Sequence, residues 1–207
     1  MKKIVLILLT IVFATEFLSA QDKIELLSGK VKKGIIDHES DGYIFYKKKE
    51  GAFLKNRISK ERIFRIIKSA GDTTYVYKQD TLTEDDYSIA QIEKHIQGQI
   101  EARKYYKPWK TALGGFCVGG VSGILPLFYA FLPPGLYVTL VGTWHIDESN
   151  FVASDETLLS DEYFTNGYEL AARGKKVRYA VVGSLAGLAA GMTIMYIVYP
   201  YQGPSTW

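Results

Sequence analysis

Two stretches of this chain carry no charge at all. Thr111 to Trp144 lacks any Asp, Glu, Lys or Arg, and so does Tyr179 to Trp207. A charge at the centre of a membrane helix costs about 2.5–3.5 kcal/mol on insertion scales, so long charge-free runs are the mark of a hydrocarbon environment. The 22 residues of 111–132 would rise about 33 Å as a helix, enough to cross a bilayer, and 179–199 is nearly as long. We therefore expect two transmembrane helices, 111–132 and 179–199. Pro126 is expected to kink the first, and Pro133-Pro134-Gly135 to stop it. The apolar fraction of the 207 residues, 47%, is ordinary and hides this segregation.

Each apolar stretch holds a glycine ladder of period four: Gly115, Gly119 and Gly123, then Gly183, Gly187 and Gly191. Four residues advance a helix by about 400°, so each ladder forms one ridge without side chains. Such ridges let helix backbones approach closely in lipid, where apolarity alone gives no driving force. The ladders are read as helix-packing faces. They pair with each other in an antiparallel hairpin, the favoured reading, or each pairs with its copy in an oligomer.

The N-terminus, MKKIVLILLTIVFATEFLSAQDK, has two lysines, a short apolar run and a small residue at Ala20, which fits a signal peptide over 1–20. An uncleaved signal anchor is the alternative. Cys117 is the one cysteine, so no internal disulfide is possible.

Residues 21–83 read as short strands rich in Ile, Tyr, Phe and Val, punctuated at Ser28-Gly29, Asp41-Gly42, Glu50-Gly51 and Ala70-Gly71-Asp72. A small β meander or SH3/Sm-like barrel follows. Residues 84–110 form a linker helix that Thr83 can cap, with Ile89, Ile92, Ile96 and Ile100 on one face. That face packs on the β domain or on a second copy; a free amphipathic helix on the membrane surface is the alternative. Residues 133–178 form an acidic connecting loop, with β-prone LYVTLVGTW early and a short helix late, and 200–207 is a tail. The fold class is thus membrane α+β, with two glycine-zipper transmembrane helices.

Basic residues flank both apolar stretches: Arg103, Lys104, Lys107 and Lys110 before the first, Arg173, Lys175, Lys176 and Arg178 before the second. A simple hairpin puts these clusters on opposite sides, so the positive-inside rule gives a tie. The signal peptide breaks it, placing the β domain in the periplasm of an inner-membrane protein. A re-entrant 111–143, folded at Pro126 or Pro133, would put both clusters on one side. Tyr105, Tyr106 and Trp109, with Tyr196, Tyr199 and Tyr201, sit where interfacial aromatic anchors belong.

Several motifs together look familiar: Gly98, Ala102 and Arg103 before the first span, Pro133-Pro134 after it, then Tyr163, Gly167-Tyr168, Ala172-Arg173 and Lys175-Lys176. Over residues 90–190 the chain resembles a group of uncharacterised exported two-span membrane proteins of the Bacteroidota. The resemblance implies architecture and location, not chemistry.

No G-x-S-x-G, H-E-x-x-H or P-loop lysine motif occurs, so no catalytic, cofactor-binding or metal residue is assigned. Adjacent acids at Asp85-Asp86 and Asp161-Glu162 read as helix starts. Lys47-Lys48-Lys49 beside Tyr43, Phe45 and Tyr46 mimics a nucleic-acid surface, but an exported domain rarely meets RNA; a plain solvated hairpin is the favoured reading, a strand end on anionic head groups the next, and no nucleic acid is expected as a partner. Residues 21–83 hold 14 basic and 9 acidic side chains, an excess that favours an anionic membrane surface. The expected partners are membrane lipid, an envelope protein and a further copy of the chain. The function expected is a non-enzymatic cell-envelope protein that presents a small β interaction domain. The alternative is an oligomeric pore or transport accessory built from the zippers. A cell-wall or nucleic-acid binding module rests on fold analogy alone.

Overall fold

The computed structural model describes residues 21–49, 51–79 and 86–198. The expected signal peptide, Thr83, Asp85, Tyr199, Tyr201 and the tail lie outside these residues. The chain divides into two compact units, residues 1–96 and 97–207.

The first unit is a six-stranded antiparallel sheet: β1 (Asp22–Leu26), β2 (Val31–Glu39), β3 (Tyr43–Lys47), β4 (Asn56–Ser59), β5 (Ile63–Ile67) and β6 (Thr73–Tyr75). The short β-rich runs expected over 21–83 fall on these strands. Their order is β4-β3-β2-β1-β5-β6. The first four strands are a meander, and β5 returns to pair with β1 after a single 3-10 turn, Lys60–Arg62. No ladder joins β4 to β6, so among the described residues the sheet is not closed into a barrel by hydrogen bonds. Gly29 and Gly71 take positive φ, 68° and 94°, which explains glycine at those two turns. Ile24, Leu26, Ile44, Tyr46, Ile63 and Ile66 form the core. In β1, Ile24 and Leu26 point into that core while Glu25 points to the other face, the period-two alternation of a strand with one buried side.

On that other face Arg65, opposite Glu25 in the ladder, donates from Nε to Glu25 at 2.5 Å and from Nη1 to Glu93 at 2.7 Å. Glu93 lies on helix α1 (Ile89–Tyr105). Ser88 starts this helix with a reciprocal cap: its N–H donates to Gln91 Oε1 and its hydroxyl accepts from Gln91 N–H. The isoleucine stripe holds only in part, since Ile96 is buried but Ile89 and Ile100 are exposed. Past Ile96 the buried positions of α1 are Gly98, Gln99, Glu101 and Ala102.

The second unit holds α2 (Trp109–Ser122), α3 (Leu127–Ala130), α4 (Leu132–Thr143) and α5 (Glu162–Val198). The single helix expected over 111–132 is therefore replaced by a helix, a break and two further helices. The break falls at Gly123 to Pro126, where Pro126 takes an extended ψ of 142°. Pro133 and Pro134 do not stop a helix; they occupy the first turn of α4. Proline is tolerated there because first-turn N–H groups have no intrahelical partner. The β-prone LYVTLVGTW is helical as far as Thr143, where a segment with no strand to pair with satisfies its own N–H and C=O groups. Among the described residues one helix, α5, is long and apolar enough to cross a membrane.

Candidate functional site

The glycine ladders face each other. A Cβ added at Gly115 would stand 2.7 Å from the Ala180 carbonyl oxygen; at Gly119 it would overlap the Ser184 carbonyl, and at Gly123 the backbone of Gly191 and Met192. Reciprocally, Gly183 lies on the Ala112 carbonyl, Gly187 on that of Phe116 and Gly191 on that of Gly120. All six glycines are thus sites of backbone-to-backbone approach. The direction differs from the antiparallel hairpin. Both sets of numbers climb together, so α2 and α5 run parallel.

Parallel neighbours need a return segment, and α4 is that segment. Tyr137 on α4 donates its hydroxyl proton to the Thr111 carbonyl at 2.8 Å, and a Cβ on Gly114 would meet that hydroxyl at 2.5 Å. On its other side Gly142 approaches Val177 of α5. Large apolar side chains point outward from the packed helices: Leu113, Phe116 and Val121 on α2, Leu136 and Leu140 on α4, Val182, Leu185, Ile194 and Ile197 on α5. Phe128, 83% exposed, and Phe131 mark the turn between α2 and α4.

Because α2 and α5 start at the same end, their basic flanks meet there. Lys175 donates its ammonium to the Arg103 carbonyl at 2.7 Å. Burial and the nearby Arg178 push the Arg103 guanidinium below its ordinary value. Lys175 is pushed down by burial and by Lys107, and Lys176 by burial and by Arg173. Both basic clusters lie at one end of the helical unit.

This end has its own small core. Ala102, Ile146, Phe151, Phe164, Tyr168 and Ala172 are buried together. Gly98 lets α1 lie against α5, since a Cβ there would overlap the Phe164 carbonyl. The Gly98/Ala102 and Tyr168/Ala172 motifs are therefore packing positions. Glu101 fastens the 144–161 connection by accepting from the N–H and hydroxyl of Ser154 at 2.8 and 2.9 Å. The Tyr168 hydroxyl, its pKa raised by burial, accepts from Val152 N–H.

The acids of that connection are used structurally. Asp147 and Asp155 cap the 3-10 turns Glu148–Asn150 and Glu156–Ser160. Hydrogen bonds from Ser149 and Thr157 hold their carboxyls below the ordinary range. Asp161 accepts from the N–H groups of Tyr163 and Phe164 at the start of α5. Glu169 accepts from Arg173 Nη2 at 2.6 Å and lies 2.7 Å from His145 Nδ1. Burial opposes its ionisation, but Arg173 and His145 prevail and lower its pKa.

Beside this core lies a cavity of about 610 Å³, walled by Tyr105 at the end of α1, by Lys107, by Trp109 and Lys110 at the start of α2, by His145 and Asp147, and by Lys176 of α5. The aromatic anchors separate here. Trp109 is 60% exposed, whereas Tyr106 packs against the small core and has its pKa raised by burial. Tyr105 carries Lys104 over its ring. Tyr196 is exposed on the far part of α5. The cavity was missed in the sequence because its walls come from segments up to about 70 residues apart; the only local sign was aromatic and basic residues alternating at 105–110.

In the sheet unit, the aromatic–basic strand is already engaged. His38 stacks on Phe45 at 4.3 Å, Arg57 lies over Tyr43, and Asp37 takes Lys47 and Lys55 at 2.8 and 2.7 Å. Phe53 and Leu54, after the turn at Gly51, are fully and mostly exposed. Among the described residues no three His, Cys, Asp or Glu side chains converge as metal ligands. No family model, no curated protein and no solved structure matches the chain.

Proposed function

We propose that the chain is a non-enzymatic cell-envelope membrane protein whose helical unit is an anchor and whose β unit is an interaction module. The observation that carries this is an inversion of the water-soluble pattern. In the helical unit the contact surface between α2 and α5 is glycine, alanine and serine with the single large side chain of Leu188 buried beside it, while most Phe, Leu, Ile and Val face outward. Water would penalise that outer surface by about 25 cal/mol per Å², and lipid would not. In this reading α5 crosses the bilayer from about Tyr179, and α2, α3 and α4 form a re-entrant hairpin packed on it. Fourteen residues of α2 rise only about 21 Å, which suits a hairpin better than a span.

The engagement of Asp147, Asp155, Asp161 and Glu169 in caps and ion pairs supports a structural rather than catalytic role for the acidic connection. The pore reading needs glycine faces free for neighbouring copies, and here they face each other. Export to the periplasm, and kinship with the exported proteins the sequence resembles, belong to the same proposal. The partner of the β unit is expected to be a protein, met through the exposed Phe53–Leu54 turn or an edge strand. Alkaline carbonate extraction of cell membranes tests the anchor: the full chain stays in the pellet, and its release into the supernatant would overturn the reading.

A further inference from the structure

We propose that the cavity at the basic end is a binding site for the phosphate of an anionic phospholipid, with Lys107, Lys110 and Lys176 as its cationic walls and Trp109 at its mouth. The site rests on the membrane reading above and adds a specific ligand class to it. Three features of the structure point to this ligand. The lysines come from two separate segments and converge on one cavity of about 610 Å³. Among the described residues no ion pair joins any of the three to a carboxylate. One carboxylate, Asp147, lies in the same wall, and it is already accepting from Ser149 N–H as a cap. Burial first, and a neighbouring cation second (Lys107 for Lys175, Arg173 for Lys176, Arg178 for Arg103), push Lys175, Lys176 and Arg103 down, so like charges lie close together here. An anion placed among them relieves that repulsion.

The helix face beside these lysines favours a lipid over a free anion. Trp109, Leu113 and Phe116 are spaced four and three residues apart on α2, so they lie along one helix face. All three are exposed, and they lead away from Lys107 and Lys110 toward the apolar part of the helix. A ligand held by its phosphate in the cavity can lay an acyl chain along that stripe. Basic pockets at the ends of membrane helices bind lipid head groups by this division of labour.

Full-length protein, purified in zwitterionic detergent, is reconstituted with phosphatidylglycerol or phosphatidylcholine of identical chains and examined by native mass spectrometry. Phosphatidylglycerol should be retained preferentially, and Lys107→Gln, Lys110→Gln and Lys176→Gln should each weaken retention about fivefold. The pair Lys32→Gln and Lys33→Gln in the sheet unit should leave it unchanged. Equal retention of the two lipids, or an equal loss in the sheet-unit variant, would overturn the site. So would displacement of the lipid by inorganic phosphate at matching concentration, which would mark a free-anion site. A measurement on the unaltered protein guards against misfolded variants: its melting temperature should rise more with phosphatidylglycerol than with phosphatidylcholine, and no difference counts against the proposal. Loss of lipid preference in a protein that still resists carbonate extraction removes the site alone, whereas extraction removes the anchor reading too.

Discussion

Gly119 and Gly120 are chain neighbours that face different things. A Cβ on Gly119 would overlap the Ser184 carbonyl, which belongs to a helix backbone and cannot rotate away. A Cβ on Gly120 meets only the Gly187 oxygen at 3.8 Å, an ordinary contact. Gly119→Ala should therefore force α2 and α5 apart and destabilise the protein by about 1–3 kcal/mol. Gly120→Ala should be neutral or stabilising by up to about 1 kcal/mol, because alanine is the better helix former. Thermal unfolding in detergent reads both. Equal effects would mean that the two ladders do not interlock in this register. Gly174, with open space around it, behaves like Gly120. The period of four already sets Gly119 apart from Gly120 in the sequence, and the partner backbone shows what that difference costs: overlap at one, ordinary contact at the other.

At the scale of elements, the 144–161 connection is held by carboxylates whose pKa values lie below the ordinary range: Asp147 and Asp155 through their caps, Glu169 through Arg173 and His145. A folded-state pKa below the unfolded one means that the unfolded chain binds protons more readily in acid. The stabilisation is thus fully present above the unfolded values, near pH 4–4.5, and is lost as pH falls through the lower folded values. The melting temperature should drop between pH 5 and pH 2, by less when Asp147→Asn, Asp155→Asn and Glu169→Gln are combined. Asparagine keeps a cap acceptor without the titration, so an undiminished drop would place the acid sensitivity elsewhere. Helix α4 teaches a related point. Its proline pair reads as a stop signal when only local punctuation is considered, yet proline suits a first turn as well as it ends a helix. Which role it plays depends on whether the chain must turn back, and that is decided by α2 and α5 packing in parallel.

For the whole molecule, parallel packing changes which segments share a side of the membrane. In an antiparallel hairpin the 144–161 connection lies across the bilayer from the sheet. In the proposed anchor, with α4 as the return segment, the connection and the start of α2 share one side. In a Cys117→Ser background, cysteines placed at Ser40 and at Asp155 should react with a membrane-impermeant maleimide from the same side. Reaction from opposite sides would overturn the parallel arrangement and restore two full spans. The same geometry gathers eight basic residues at one end, which opposes an outward-facing sheet under the positive-inside rule. The labelling experiment therefore also decides whether the leader or the basic cluster governs orientation.

By itself the sequence determined the β-rich character of 21–83, the turn glycines, the position of the apolar stretches and the two packing ridges. Each depends on residues within a few positions of one another: side-chain alternation, backbone freedom at a turn, or a repeat of four on a helix. Tertiary structure alone decided the parallel pairing of the ladders, the break at Gly123–Pro126, the replacement of Ile100 by Gly98 and Ala102 on the buried face of α1, and the meeting of Lys107, Lys110 and Lys176. These depend on which backbone lies across from which. A glycine ridge accepts a partner running in either direction, so the choice came from the length of chain available to return and from the small core that joins α1 to α5.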